Sequence, residues 1–101
     1  MSKTQTKTIN YLKNKGYLAL NVIKLGVSGY PDIMAMKKGS PNIWIEIKEE
    51  KDTLKPLQKA KINELNLFGN VAFCYHATKG IIYPESYSIF TLDDILTFKI
   101  L

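Results

Sequence analysis

An α/β domain with a central mixed β-sheet flanked by helices is the fold class this sequence predicts, its elements running helix, three strands, helix, strand. Two observations predict it. Stretches with apolar residues at helical spacing are each closed by a glycine, Gly16 in one case and Gly69 in the other. Around them run short segments rich in Ile, Val and aromatic residues, separated by Gly, Pro, Asn and Ser. Helices interleaved with strands in this way cover the faces of one sheet. At 101 residues there is room for one core, so residues 1–101 are read as a single domain.

Ser2 and Gln5 fit a capping box, with Ser2 as cap and Gln5 reaching back. The helix that follows buries Ile9 and Leu12 and stops at Gly16. Residues 17–24 form a first strand, and residues 25–29 a loop with two glycines. A second strand covers 31–37, a turn 38–40, and a third strand 42–48. In this third strand Ile43, Ile45 and Ile47 share one face while Trp44, Glu46 and Lys48 share the other. After a charged loop, Pro56 occupies the first position of a second helix that ends near Phe68. Residues 71–75 make a fourth strand; a short strand at 87–90 and a last helix capped by Thr91 complete the chain.

An apolar fraction of 46% excludes a disordered chain. Net charge is +5, and all 14 basic residues are lysine. Lys3, Lys7, Lys13, Lys15 and Lys24 precede the first acid, Asp32. Such a basic first third suits nucleic acid, and a solvated lysine-rich surface fits it as well. Without arginine, phosphate contact is expected rather than bidentate reading of guanine. Cys74 is the single cysteine, which excludes an internal disulfide and a cysteine zinc cluster; within an apolar strand it reads as a buried inert thiol. No stretch is long and apolar enough to span a bilayer, and the start of the chain is polar. A cytoplasmic, reducing location without membrane attachment is therefore expected.

The chemistry concentrates in Gly29-Tyr30-Pro31-Asp32 and Glu46-Ile47-Lys48. If Lys38, Gly39 and Ser40 form a three-residue loop, Lys37 faces Pro41, and counting back along both strands sets Asp32 directly across from Glu46. Cross-strand Cβ atoms then lie about 4.5–5.5 Å apart. A loop one residue longer or shorter would put the carboxylates on opposite faces. Two carboxylates about 5 Å apart repel by roughly 3 kcal/mol at an effective dielectric near 20. Such a pair takes up a proton or a cation, and Mg2+ or Mn2+ suits its oxygens. Lys48 points the same way, placed to hold an attacking water or to stabilise charge on a phosphate. A metal ion acidifies water, so no histidine base is required. Taken singly, Glu-x-Lys is a solvated strand face, and Asp32 a turn residue after proline.

Gly29-x-Pro31-Asp32, then Ile45-Glu46-Ile47-Lys48, then Leu54-x-x-x-Gln58 resemble the signature of the VRR-NUC (virus-type replication-repair nuclease) domain, a branch of the PD-(D/E)xK nuclease superfamily. The resemblance runs from the first helix to about Gly80. It implies a restriction-endonuclease-like core and a metal-dependent endodeoxyribonuclease using Mg2+ or Mn2+. Asp32 and Glu46 would ligate the metal with the Ile47 carbonyl, Lys48 would be the catalytic lysine, and Gln58 would support the site. Gln58 also shares a helical face with Ile62 and Leu65, directing it to the sheet; its alternative role is to cap the helix. Stand-alone members are small phage or bacterial proteins similar to Holliday junction resolvases. They imply a homodimer acting on branched DNA such as four-way junctions or flaps, in DNA repair.

One departure stands out: many relatives carry a glutamate in the first helix, where this chain has no acid, and Gln5 is the polar residue nearest that place. The departure favours the competing reading of a non-cleaving nucleic-acid-binding module with the same fold. Gly29, Tyr30, Lys37 and Lys38 are the candidate nucleic-acid contacts, against a sharp turn, hairpin packing and a solvated turn as their structural roles. His76 has no second histidine; it ends the fourth strand or touches DNA. Asp93 and Asp94 suit the first turn of the last helix.

Overall fold

The computed structural model describes residues 2–23, 26 and 28–98. Its elements are α1 (Lys3–Asn14), β1 (Leu18–Asn21), β2 (Ile33–Met36), β3 (Ile43–Lys48), α2 (Pro56–Leu67), β4 (Val71–His76), β5 (Gly80–Tyr83), a 3₁₀ turn (Glu85–Tyr87) and α3 (Leu92–Phe98). The five strands lie in sequence order in one sheet. β1, β2 and β3 pair antiparallel, β3 and β4 parallel, and β4 and β5 antiparallel. A parallel neighbour requires a crossover, and α2 supplies it. The expected mixed sheet flanked by helices is the fold, with the last helix expected after Thr91 present as α3 and the fifth strand at Gly80–Tyr83 rather than at 87–90. No helix among the described residues is long and apolar enough to cross a membrane.

Strand alternation divides the core between the two faces. Ile33, Ala35, Ile43, Ile45, Ile47 and Phe73 pack against α1 and α3 through Ile9, Leu12 and Ile95. On the opposite face Ala72, Cys74 and Trp44 pack under α2 through Ile62 and Leu65. The even-numbered residues of β3 therefore lie beneath α2, and that placement builds the site.

Three expectations need correction. No strand forms at 87–90; the fifth strand is Gly80–Tyr83, turned back from β4 through Gly80 at φ +78°. Tyr87 instead closes the 3₁₀ turn, its ring buried and 6.4 Å from Phe73 in an edge-on contact. Its aromatic character serves as an anchor rather than as a strand residue. The first strand is shorter than residues 17–24; Lys24, Leu25 and Val27, expected at its end and in the loop, lie outside the described residues. Finally, Ser2 caps α1 by accepting the Gln5 N–H at 3.1 Å, but Gln5 does not reach back. Its amide donates to Asn21 Oδ1 at 2.7 Å, because α1 packs over β1 and offers a nearer acceptor. The predicted Thr91 cap forms reciprocally: Asp94 N–H donates to Thr91 Oγ1 at 3.1 Å and Thr91 N–H to Asp94 Oδ2 at 2.9 Å.

Candidate functional site

The β2–β3 hairpin turns at Gly39, φ +79°, with Ser40 N–H donating to the Lys37 carbonyl at 3.0 Å. Beyond it Ile33 pairs with Ile45 and Met34 with Trp44, so the next position sets Asp32 against Glu46. The register inferred from loop length is the register observed. Asp32, Glu46 and Lys48 consequently share the α2 face. Glu46 and Lys48 are only 4% and 8% exposed, far from the solvated strand face that Glu-x-Lys suggests when read alone. Lys48 Nζ stands 3.5 Å from Glu46 Oε2. Asp32 Oδ2 accepts the backbone N–H of Ile47 at 2.9 Å, which fixes its carboxylate against β3.

Gln58 joins this group from α2. Its Nε2 donates to Glu46 Oε2 at 3.2 Å while its Oε1 accepts the Lys55 N–H at 3.0 Å. The helix cap and the contact to Glu46 are thus made by opposite ends of one amide. The first turn of α2 and the Glu46 carboxylate cannot move independently.

The Ile47 carbonyl also comes into play through strand alternation. Lys48 C=O accepts from Ala77 N–H at 2.9 Å, so even-numbered residues of β3 turn their backbone groups toward β4. Odd-numbered residues, Ile47 included, turn theirs toward β2. Opposite Ile47 the register places Pro31, which has no N–H. The Asp32 side chain takes the Ile47 N–H, and no ladder donor faces the Ile47 carbonyl.

The candidate donors are two carboxylates and this carbonyl, a hard oxygen set that suits Mg2+ or Mn2+ rather than a soft metal. Among the described residues no three His, Cys, Asp or Glu side chains gather to hold a metal. Water or substrate oxygens would have to complete any coordination shell.

Burial, and then the neighbouring Asp32, push the Glu46 carboxyl up to about 7, against the opposing pull of Lys48. A carboxyl protonated in the fold but ionised in the unfolded chain makes folding less favourable as pH rises between its two pKa values. Its contribution is complete below about 4.5 and lost as pH passes about 7. In chelator the stability difference between wild type and Glu46→Gln should shift against wild type across that window, and Mn2+ should offset the shift at pH 8. Differential scanning calorimetry of both proteins checks this, and parallel curves would refute it.

Gly29 has φ +94°, and a Cβ there would lie 2.7 Å from Leu57 Cγ and 3.1 Å from Lys61 Cγ. The loop leading to Asp32 is pressed against α2 at a point that admits no side chain. Gly29→Ala should cost about 1–3 kcal/mol, combining left-handed strain with overlap. Gly39→Ala, at φ +79° with nothing within 4 Å of the added carbon, should cost only about 1 kcal/mol. Urea midpoints of the two variants test the ordering.

Tyr30 packs on Trp44, ring centroids 6.1 Å apart, with Lys61 Nζ 5.0 Å from its own centroid. It borders the trio. Lys37 and Lys38 do not: they lie at the hairpin tip, about 17 Å of strand from Asp32. The Lys37 ammonium donates to the Lys15 carbonyl at 3.0 Å and covers the Tyr17 ring, closing the end of α1. His76 is buried, with Nδ1 facing the N–H groups of Thr78 and Lys79 at 3.2 Å and Nε2 facing the Glu50 carbonyl at 3.2 Å. Two donors at Nδ1 select the tautomer protonated at Nε2, a structural bracket at the end of β4. Cys74 is buried beside Glu46 in the parallel ladder, and burial pushes its thiol up to about 12, which keeps it inert.

The contact that sequence reading missed is Glu49. It follows β3 and accepts from Thr4 Oγ1 at 2.8 Å, with the Ser2 and Thr4 hydroxyls holding its carboxyl below the usual range. An acid does meet the first helix, but from the sheet. Gln5 is bonded to Asn21, which pairs with Ile33 and so lies on the face away from Asp32 and Glu46.

No family model and no curated protein matches the chain. Among solved structures it is similar to Hjc, a Holliday junction resolvase from the archaeal hyperthermophile Archaeoglobus fulgidus. The two share 26% identity at a TM-score of 0.56, over 71% of this chain and 64% of that one. The chain thus matches a little under two thirds of the resolvase's length.

Proposed function

We propose that this protein is a metal-dependent endonuclease that hydrolyses phosphodiester bonds of branched DNA, as a VRR-NUC-type member of the PD-(D/E)xK nucleases. The observation that carries the reading is the set of Asp32, Glu46, Lys48 and Gln58, with Glu46 and Lys48 buried, on one face of a fold shared with a junction resolvase. Asp32, Glu46 and the Ile47 carbonyl would hold Mg2+ or Mn2+. When bound, such an ion polarises the phosphodiester and acidifies water. Gln58 holds the Glu46 carboxylate in place, and the N–H of Ile47 holds that of Asp32. Lys48 brings an ammonium to the same point, where it orients the attacking water or stabilises the charge that develops on phosphate oxygens. Cutting both strands of a junction calls for two such sites, hence a homodimer.

The test is incubation of the purified protein with labelled four-way junctions, flaps and linear duplex, with Mg2+ or Mn2+ and with chelator. Metal-dependent cutting of branched substrates supports the proposal. Binding without cutting in any metal replaces it with a non-cleaving DNA-binding module, the reading favoured by the absence of an acid in α1.

A further inference from the structure

We infer that a groove on the opposite face of the sheet is a binding site for an unpaired nucleic-acid strand; this rests on the nuclease reading for its biological source of strand, not for its chemistry. The groove encloses about 840 Å³ between α1, the β4–β5 hairpin and the segment leading into α3. Thr4, Lys7, Thr8 and Tyr11 form one stripe of α1 at helical spacing, beside the stripe that enters the core. Tyr75 and Phe90 also line the groove, and Lys79 joins Lys7 there. Aromatic rings for bases and ammonium groups for phosphates are what a single strand requires; the hydroxyls of Thr4, Thr8 and Tyr11 are already bonded to Glu49, the Thr4 carbonyl and Asp93. The groove's acid, Asp93, is already engaged by the Tyr11 hydroxyl and by Lys15 at 3.4 Å.

Its position connects it to the candidate centre. Ala77 lines the groove and bonds to the Lys48 carbonyl at 2.9 Å, so the groove opens at the end of the strand that carries Lys48. A strand displaced from a branch point near Lys48 would pass around the end of β3 and β4 into it.

The test uses the full chain in chelator at low salt, where cleavage plays no part, with a fluorescent thymidine oligonucleotide of about 12 nucleotides. Lys7→Glu and Lys79→Glu should each weaken binding about tenfold, and Lys13→Glu, the same charge change on an exposed position of α1 outside the groove, about threefold or less. Iodouracil-substituted oligonucleotide should photocrosslink to Tyr11, Tyr75 or Phe90. Equal losses in all three variants, crosslinks confined to Tyr30 and Trp44, or no binding would each overturn the groove. Junction cleavage is scored separately, so the nuclease reading can fail while the groove stands, and the reverse.

A separate observation, the ladder alternation, assigns a positioning role to Pro31, again on the premise of the nuclease reading. The Asp32 carbonyl accepts from Val22 N–H at 2.7 Å and so points to β1; its neighbour Pro31 therefore turns its ring nitrogen toward β3 and Ile47. Proline at this position keeps the Ile47 carbonyl free for a cation by denying it a ladder partner. In Pro31→Ala the new N–H should pair with that carbonyl, seen as slow amide exchange at position 31 by NMR in chelator. Mn2+ affinity by calorimetry should then fall about tenfold. Fast exchange at that amide, or a protected amide with unchanged Mn2+ affinity, would overturn the role. Loss of junction cutting is not the readout, so this result is independent of whether the protein cleaves DNA.

Discussion

Asp32→Asn is expected to reduce junction cleavage about 1,000-fold while leaving the metal-free protein as stable as wild type or about 1 kcal/mol more stable. The asparagine Oδ1 can still accept the Ile47 N–H that Asp32 Oδ2 accepts at 2.9 Å, so the start of β2 keeps its anchor. What disappears is a negative charge facing Glu46. With Asp32 neutralised, the buried Glu46–Lys48 pair is balanced, and the repulsion that helps to push the Glu46 carboxyl up to about 7 is gone. The cation has lost one of its two carboxylates, so the rise in melting temperature on adding Mn2+ should vanish with the activity. Cleavage kinetics and calorimetry on one preparation test both halves. Activity within tenfold of wild type would remove Asp32 from the chemistry.

Lys48→Met should lose activity to a similar degree but with the opposite effect on stability. Methionine fills the space of the lysine stem and carries no charge. The Lys48 side chain is 10% exposed and lies 3.5 Å from Glu46, so its removal leaves two facing carboxylates with no cation. Breaking a buried pair costs about 3–5 kcal/mol. The cost should be highest near pH 8, above the value of about 7 to which the Glu46 carboxyl is raised beside Lys48. It should shrink toward pH 5, where Glu46, raised to about 7, is protonated. Urea unfolding at the two pH values separates this from a general packing defect, which would cost the same at both. Mn2+ should recover part of the loss, since the ion takes the place of the missing positive charge.

Opposite signs for two neighbouring substitutions follow from charge count. The trio has two acids and one base, so removing an acid balances it and removing the base unbalances it. A merely solvated ion pair would show neither effect beyond about 1 kcal/mol.

Much of this centre is legible in the sequence. Side-chain alternation along a strand is local geometry, and a three-residue loop around Lys38–Ser40 sets the register of its hairpin. Together they place Asp32 across from Glu46 with Lys48 on the same side, as the ladder at Ile33–Ile45 shows. The helical spacing of Gln58, Ile62 and Leu65 likewise foretold that Gln58 faces the sheet, where it bonds to Glu46. The fifth strand escaped because Gly80–Tyr83 is four residues long and owes its pairing to the turn after His76. Gln5 escaped because its acceptor, Asn21, is 16 residues away.

What the sequence by itself determined is which residues share a face and which oxygens face one another, since both follow from the two-residue repeat of a strand. Only the tertiary structure decided that this face is buried beneath α2, that a charged pair reading as solvated is closed off from water, and that Glu49 meets α1 from the sheet side. The physical reason is that solvation and pKa depend on what other segments pack above a group. In this chain the covering segment begins eight residues beyond Lys48, at Pro56, and reaches the site only by folding back across the sheet.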